Sequence, residues 1–355
     1  MKIAICQNKN MWNHPHTFSA NNYIERCKER AEEGVEFEIV DPYASDAINI
    51  IKEFDGLIWN FQNYLWADTL EAKNILHSAE RMGKVVFPNH STAWHFDDKV
   101  AEMYALQAVG APIPESNVFY SKETAMEYFK SCKFPVVAKL RCGSGSNNVK
   151  LLKNFAQAKK YTRKMFGRGF SPAPSLLFKA KSKAGSAHDW KTFKARLKKM
   201  PAFLYTRRHA KMMPRERGYV YLQEFIPDNV FDYRVHVCNG RSWACMRKVR
   251  KGDFRASGSG DLIYDSQSVT KHLIEKAFAV AEALELQCVA FDFIHDKRDD
   301  IYKILEMSYS FGFDKEDGEN GYWTRDLEFH TDFFNPFKMM ADIVIDGVKK
   351  KQNNQ

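Results

Sequence analysis

Apolar and polar positions alternate along this chain with two different periods, and the change of period marks out its regions. In the first ninety residues, short apolar runs alternate with amphipathic stretches. Strands are predicted over 2–7, 35–40, 56–61 and 84–88, and helices over 20–33, 46–53 and 68–82, with Gly34 and Gly83 as stop signals. That β-α-β rhythm predicts a small parallel sheet with helices on both faces. Ligands of such sheets bind beyond the carboxyl ends of strands. The polar, aromatic segment 8–18, with His14, His16 and Thr17, follows the first strand and is a candidate substrate loop, against the simpler reading of solvated histidines.

From Asp98 a helix runs to the stop signal Gly110-Ala111-Pro112, followed by a connecting strand and a second helix near 123–131. The next strand, 133–140, carries Lys139 near its end, where an ammonium is costly unless an anion pairs with it. Gly143, Ser144, Gly145 and Ser146 come directly after. Glycines let backbone amides approach a phosphate closely, and serines add donors. A hairpin turn would look the same, but the lysine before it and the strand and helix (155–166) after it favour a nucleotide flap.

The strand 219–227 ends at a proline, and the runs 232–238 and 242–249 are joined by Asn239-Gly240, which predicts a hairpin with a mirror-type turn. The loop 252–260 gathers cations and exposed amides, and a helix over 268–284 leads to two late carboxylates. Asp292 lies in the apolar run 289–294 and Glu306 in 302–313, with the polar turn 295–300 between them. A hairpin here would set the two carboxylates opposite each other. Paired anions in an apolar sheet repel and lose hydration. Two compensators are open, salt bridges within the sheet or a hard divalent cation that itself carries a phosphate.

A chain of 355 residues accommodates two or three compact units. It has no apolar run of about 18 residues, and residues 1–7 lack a signal peptide's apolar region, so folding is expected to begin at residue 1, in the cytoplasm. Seven scattered cysteines without a C-x-x-C pair argue against a disulfide framework or structural zinc. The net charge of +9 is concentrated: residues 179–217 hold thirteen Lys or Arg against Asp189 and Glu216, so the remainder is close to neutral. Within that segment Trp190, Phe193, Leu197 and Met200 fall at helical spacing among lysines, a basic amphipathic helix. It reads first as a solvated helix docked on its own domain. Its alternative is peripheral membrane contact through 188–200, or a grip on a polyanionic substrate. Nucleic acid is disfavoured because aromatics for base stacking are sparse, and an oligomer is left open.

In order and spacing these residues resemble the ATP-grasp enzymes, most closely the ribosomal-protein glutamate ligase and glutathione synthase branch. The similarity is strongest over 219–313, moderate over 96–155, and only architectural before 90. The resemblance implies an α/β fold, α+β in its C-terminal part: an N-terminal parallel-sheet domain (1–95) and two α+β lobes holding ATP between them. Those lobes would span 96–218, with a basic insertion at 170–218, and 219–350, leaving 351–355 as a disordered tail. Lys99 and Lys139 match residues that contact ATP phosphates, and Gly143, Ser144, Gly145 and Ser146 match the loop that closes over them. Gln223, Glu224, Phe225 and Ile226 match the hinge that holds adenine, and Asp232 matches the acid that binds ribose. Arg247 and Arg255 match cations that neutralise the γ-phosphate and the acyl-phosphate. Asp292 and Glu306 match the magnesium ligands.

Two positions depart from the pattern. Ser308 stands where a third, Asn ligand is usual, and Ser257 where Asn is usual. A serine hydroxyl is a shorter and poorer magnesium ligand than an amide oxygen. The implied activity is an ADP-forming carboxylate–amine ligase using ATP with Mg²⁺ or Mn²⁺ through an acyl-phosphate; the basic segment 179–217 favours an anionic substrate for it, a surface-polysaccharide precursor or an acidic peptide. Alternatives are a phosphotransferase acting on a small molecule, or a nucleotide-binding protein without turnover.

Overall fold

The first four strands pair in parallel, in the order β2-β1-β3-β4: β1 (Lys2–Cys6), β2 (Glu36–Val40), β3 (Gly56–Ile58) and β4 (Val85–Phe87). The protein is described here by a computed structural model that covers residues 1–7, 20–143, 148–172, 204, 208, 211–249, 262–267 and 269–354. Helices α1 (Ala20–Glu29), α2 (Ala47–Lys52) and α3 (Trp66–Arg81) alternate with these strands as the periodicity predicts. The first is shorter than predicted, because a 3₁₀ turn over Ala31–Glu33 closes the segment at Gly34, whose φ of 76° suits glycine. A short helix, α4 (His90–Ala93), follows β4.

Two antiparallel sheets follow. The central one runs β5 (Ser116–Phe119), β8 (Val220–Glu224), β6 (Val136–Lys139), β7 (Lys150–Leu152). Its outer face is covered by α6 (Lys122–Ser131) and α7 (Phe155–Met165), which bury Ala125, Phe129, Ala158, Tyr161 and Met165. The larger sheet is ordered β13-β12-β9-β10-β14-β15, with β11 also on β10. Its strands are β9 (Phe231–Cys238), β10 (Arg241–Lys248), β11 (Leu262–Tyr264), β12 (Cys288–Asp296), β13 (Ile301–Ser308), β14 (Tyr322–Thr324) and β15 (Phe329–His330). Helix α5 (Lys99–Ala108) belongs to both: Val100 and Met103 enter the central core, Ala105 and Leu106 the core of the larger sheet.

Two boundaries differ from the sequence reading. Val220–Glu224 pairs with β5 and β6, so the step between the two lobes falls after Glu224 rather than at 218/219. An apolar strand that ends in a proline carries no signal of which sheet it joins. The tail expected over 351–355 is helical as far as Asn353, in α10 (Pro336–Asn353), after α8 (Lys271–Ala283) and α9 (Lys315–Glu319). The polar end of α10 hides its function: its earlier turns bury Met340, Ala341, Val344, Ile345 and Val348 against the parallel sheet. The C-terminal helix thus completes the N-terminal layer. The loop histidines His14 and His16, the basic helix 188–200 and the loop residues Ser257 and 258–260 lie outside the described residues.

Candidate active site

The larger sheet has two unlike faces because side chains alternate along each strand. One face carries Val235, Val237, Ala244, Phe291, Phe293 and Met307 and is covered by Leu273, Ile274, Ala277 and Phe278 of α8. The register then forces the polar residues together on the other face. Arg234 stands opposite Asp292, and Asp292 stands opposite Glu306, so one row across three strands reads cation, anion, anion. Asp232 and Arg247 pair in another row, and Trp243, His236, Ala290 and Ser308 form a third. The predicted hairpin is therefore present with its carboxylates facing.

Asp292, 6 % exposed, is met by two guanidiniums. Arg234 binds both its oxygens, at 2.8 and 3.0 Å, and Arg247 approaches Oδ2 at 2.7 Å. Burial alone would raise the Asp292 pKa, but Arg234 and Arg247 outweigh it and hold the carboxyl well below the usual range. Arg247 also grips Asp232 through two bonds of 2.7 and 2.6 Å. Glu306 is one-third exposed and is met by Lys99 at 3.1 Å.

Lys99 opens α5 directly after its N-cap Asp98, whose carboxylate accepts from Val100 N and Ala101 N. Its ammonium also donates to Gly143 O at 2.8 Å, so it ties the base of the glycine-rich segment to the larger sheet. Burial would lower the Lys99 pKa, but Glu306, Glu102 and Asp97 raise it above its ordinary value. Asp97 receives Gly143 N at 2.8 Å and Asn63 Nδ2 at 3.1 Å. Lys139 reaches across from the central sheet to Leu305 O at 3.0 Å. That carbonyl is available because the β12–β13 register shifts at Phe293, which pairs with Ile304 and leaves Leu305 as an extra residue, a bulge. Burial lowers the Lys139 pKa to about 8, partly offset by Glu306. An ammonium held this weakly is suited to an incoming anion.

The structure brings Lys99, Lys139, Gly143, Arg247, Asp232, Asp292, Glu306 and Ser308 into one region. Ser144, Gly145, Ser146 and Arg255 lie outside the described residues. Of the residues expected at the hinge, Gln223 and Glu224 end β8 of the central sheet and Phe225 and Ile226 follow it: Gln223 donates to Ser116 Oγ at 3.3 Å, Glu224 pairs with Arg298 at 2.7 Å, and Ile226 is buried. Sequence reasoning assigned no role to Arg234, Asp97 or Glu102. Arg234 was recoverable, since it shares parity with Asp232 on the strand predicted over 232–238. Asp97 and Glu102 gave no comparable signal. The salt-bridge compensation weighed for the carboxylate doublet is present in full.

No protein-family model matches the chain, and no curated protein matches it in sequence. Solved structures do match it along nearly its whole length. An ATP-grasp RimK domain protein from Sphaerobacter thermophilus is 15 % identical, with 97 % of this chain and 100 % of that one aligned and a TM-score of 0.52. D-alanine–D-alanine ligase from Bacillus anthracis is 12 % identical, covering 100 % of this chain and 99 % of that one, at a TM-score of 0.54. The ATP-grasp ligase PsnB, in a complex with a phosphomimetic variant of its minimal precursor, Mg and ADP, is 12 % identical, covering 98 % of each chain, at 0.55. The chain has the ATP-grasp fold. The α/β architecture implied by the sequence resemblance is therefore the one observed.

An ATP-grasp fold implies a divalent cation with the nucleotide, and the donor set can be tested for it. Among the described residues no group of three or more His, Cys, Asp or Glu is placed to hold a metal. Ser308 Oγ donates to Ser310 O at 3.2 Å. Magnesium, however, is commonly bound through only one or two carboxylates, with phosphate oxygens and water completing the shell. Facing carboxylates at Asp292 and Glu306 fit that arrangement, and Ser308 is not needed for it.

Proposed function

We propose that this chain is an ATP-dependent, ADP-forming carboxylate–amine ligase that works through an acyl-phosphate. The observation that carries the reading is convergence: Lys99, from the central lobe, pairs with Glu306; Arg234 and Arg247, from the larger sheet, pair with Asp292; and Lys139 crosses from the central sheet to Leu305 O beside that facing carboxylate pair. Charge neutralisation is the main demand of phosphoryl transfer, so cations delivered by two lobes onto one face suit it. A carboxylate is a poor acyl donor because oxide is a hopeless leaving group. In the first step its oxygen attacks the γ-phosphorus and the bond to ADP breaks. In the second an amine attacks the acyl carbon, the bond to phosphate breaks and the amine loses a proton.

Lys99, Lys139 and Arg247 would offset the charge on the transferring phosphoryl group, and Arg255 the acyl-phosphate. Gly143 to Ser146 would close over the phosphates and exclude water. Gln223, Glu224, Phe225 and Ile226 would hold adenine and Asp232 the ribose. Magnesium or manganese, when bound at Asp292 and Glu306, would supply further neutralisation of phosphate charge. The reading agrees with the named activity of the D-alanine–D-alanine ligase and with the Mg and ADP of the PsnB complex, both proteins of the same fold. The basic segment 179–217 supports an anionic carboxylate partner, a surface-polysaccharide precursor or an acidic peptide, and 188–200 a membrane contact. A cytoplasmic setting is supported by seven free cysteines. Among the described residues no helix is long and apolar enough to cross a membrane.

A screen of carboxylates crossed with amines for ADP release tests the proposal. Asp292→Asn with Glu306→Gln is expected to abolish metal-dependent ADP formation while the melting curve stays cooperative; retained turnover would sink it. The commitment of Asp292 to two guanidiniums favours one rival, nucleotide binding without turnover. ATP binding with no ADP release for any pair of substrates would establish that rival.

A further inference from the structure

A cavity of about 210 Å³ opens beside Glu306, between the N-terminal lobe and the larger sheet. Its lining includes Gln62, Asn63, Asp97, Glu102, Ser308 and Ser310. Part of its polar lining is already engaged inside the protein. Gln62 Nε2 bonds Asn60 O at 2.9 Å, Asn63 Nδ2 bonds Asp97, Ser308 Oγ bonds Ser310 O, and Ser310 Oγ bonds Asn60 Oδ1 at 3.2 Å. What these groups leave to a guest includes the hydroxyl oxygens and the carboxylates of Asp97 and Glu306, whereas burial raises the Glu102 pKa to about 8 and its Oε2 accepts from Met307 N. A complementary guest is rich in donors and positively charged. A second cavity, of about 270 Å³, shares Asn63, Phe96 and Asp97 with the first and adds the apolar Phe61, Trp66 and Leu70 together with Lys73, Arg141 and Glu216. The Asn63–Asp97 hydrogen bond stands between the two.

We propose that the inner cavity seats the primary ammonium of the acceptor and that the outer one holds an apolar or aromatic body, so that the amine substrate enters as a cation. The inference rests on the ligase reading and names the acceptor class of that site. The alcove is adjacent to Glu306, so a nitrogen seated there lies next to the carboxylate pair, where the acyl-phosphate would form. A bare metal ion would leave most of the space unfilled, since about 210 Å³ far exceeds the roughly 30 Å³ share of one water. Positive charge on the acceptor also separates it from the anionic carboxylate partner, so neither substrate would occupy the other's place.

The full chain would be titrated calorimetrically with L-phenylalaninamide, with its N-acetyl derivative, which has no ammonium, with 3-phenylpropionate and with glycinamide. Saturable binding is expected for the two cations alone. Asp97→Asn should weaken phenylalaninamide roughly tenfold, about 1.4 kcal/mol. It should leave the melting curve unchanged, because asparagine tolerates the φ of 56° and keeps the acceptor for Gly143 N. Glu102→Gln provides a second variant, with the same expected direction above about pH 8, where Glu102 is ionised. Trp66→Ala should weaken phenylalaninamide but not glycinamide. The proposal is overturned if the N-acetyl derivative or the anion binds equally well, if neither cation binds the wild type, if the Asp97 and Glu102 variants bind the cations as wild type does, or if Mg²⁺ alone displaces the probe. ADP·Mg binding and ADP release, measured on the same samples, separate the two hypotheses: their loss with probe binding retained would count against the ligase reading alone.

Discussion

Arg247 neutralises two buried carboxylates at once, Asp232 and Asp292, and is itself only 4 % exposed. Removing one partner from a buried ionic cluster costs far more than the net worth of the cluster, because the remaining charges lose both water and counter-charge. Arg247→Met is therefore expected to lower the unfolding free energy in urea by roughly 3–5 kcal/mol. Adding Asp232→Asn should restore part of that loss, and strict additivity would show that the two side chains do not communicate. Asp317 is a different case. Burial raises its carboxyl pKa to about 7, and its Oδ1 finds no hydrogen-bond partner among the described residues. Because the folded value lies above the unfolded one, its stabilising contribution is fully present below about pH 4 and is lost as the pH rises towards 7. Asp317→Asn should remove up to one proton's worth of slope, about 1.4 kcal/mol per pH unit, from the stability of the wild type across that window. Identical slopes in the two proteins would refute it.

At the level of elements, the parts of the site that could be read in advance are those set by local rules. Asn239 and Gly240, at φ of 45° and 75°, form the mirror-type turn that their identities announce, and the turn fixes the β9–β10 register that seats Arg247 against Asp232. Gly240→Ala is expected to cost about 1 kcal/mol from backbone strain alone, since a Cβ there meets nothing within 4 Å. Equilibrium denaturation checks it, and an unchanged midpoint would mean that the turn accommodates a side chain. Alternation also sets Asp292 against Glu306. The bulge at Leu305 could not be read, because a run of apolar residues says nothing about which one drops out of the ladder. Without it Lys139 would have no carbonyl to hold. The rest of the site depends on pairings between strands distant in sequence: the place of β8 in the central sheet and the crossing of α5 between two cores leave no periodic trace.

For the whole molecule, the ion pairs of Asp342 with Arg26 in α1 and with Arg30 just after it, both 2.8 Å, fasten that segment to α10 across 316 and 312 residues of sequence. Beneath them Gly56 is there for space: a Cβ would come within 2.5 Å of Val344 and 3.0 Å of Ile3. Gly56→Ala should destabilise the protein by about 1–3 kcal/mol through overpacking, read as a shift in melting temperature. A compensating Val344→Ala should recover much of it, and failure to do so would mean that the helix does not rest on that strand. The same closure bears on biosynthesis. During translation, at roughly 5–20 residues per second, the parallel sheet emerges well before α10, the helix that shields its apolar face. Until then Ile3, Leu57 and their neighbours lie open, so the nascent chain has a window in which a chaperone, or another copy of the same chain, can reach them before its own C-terminal helix does.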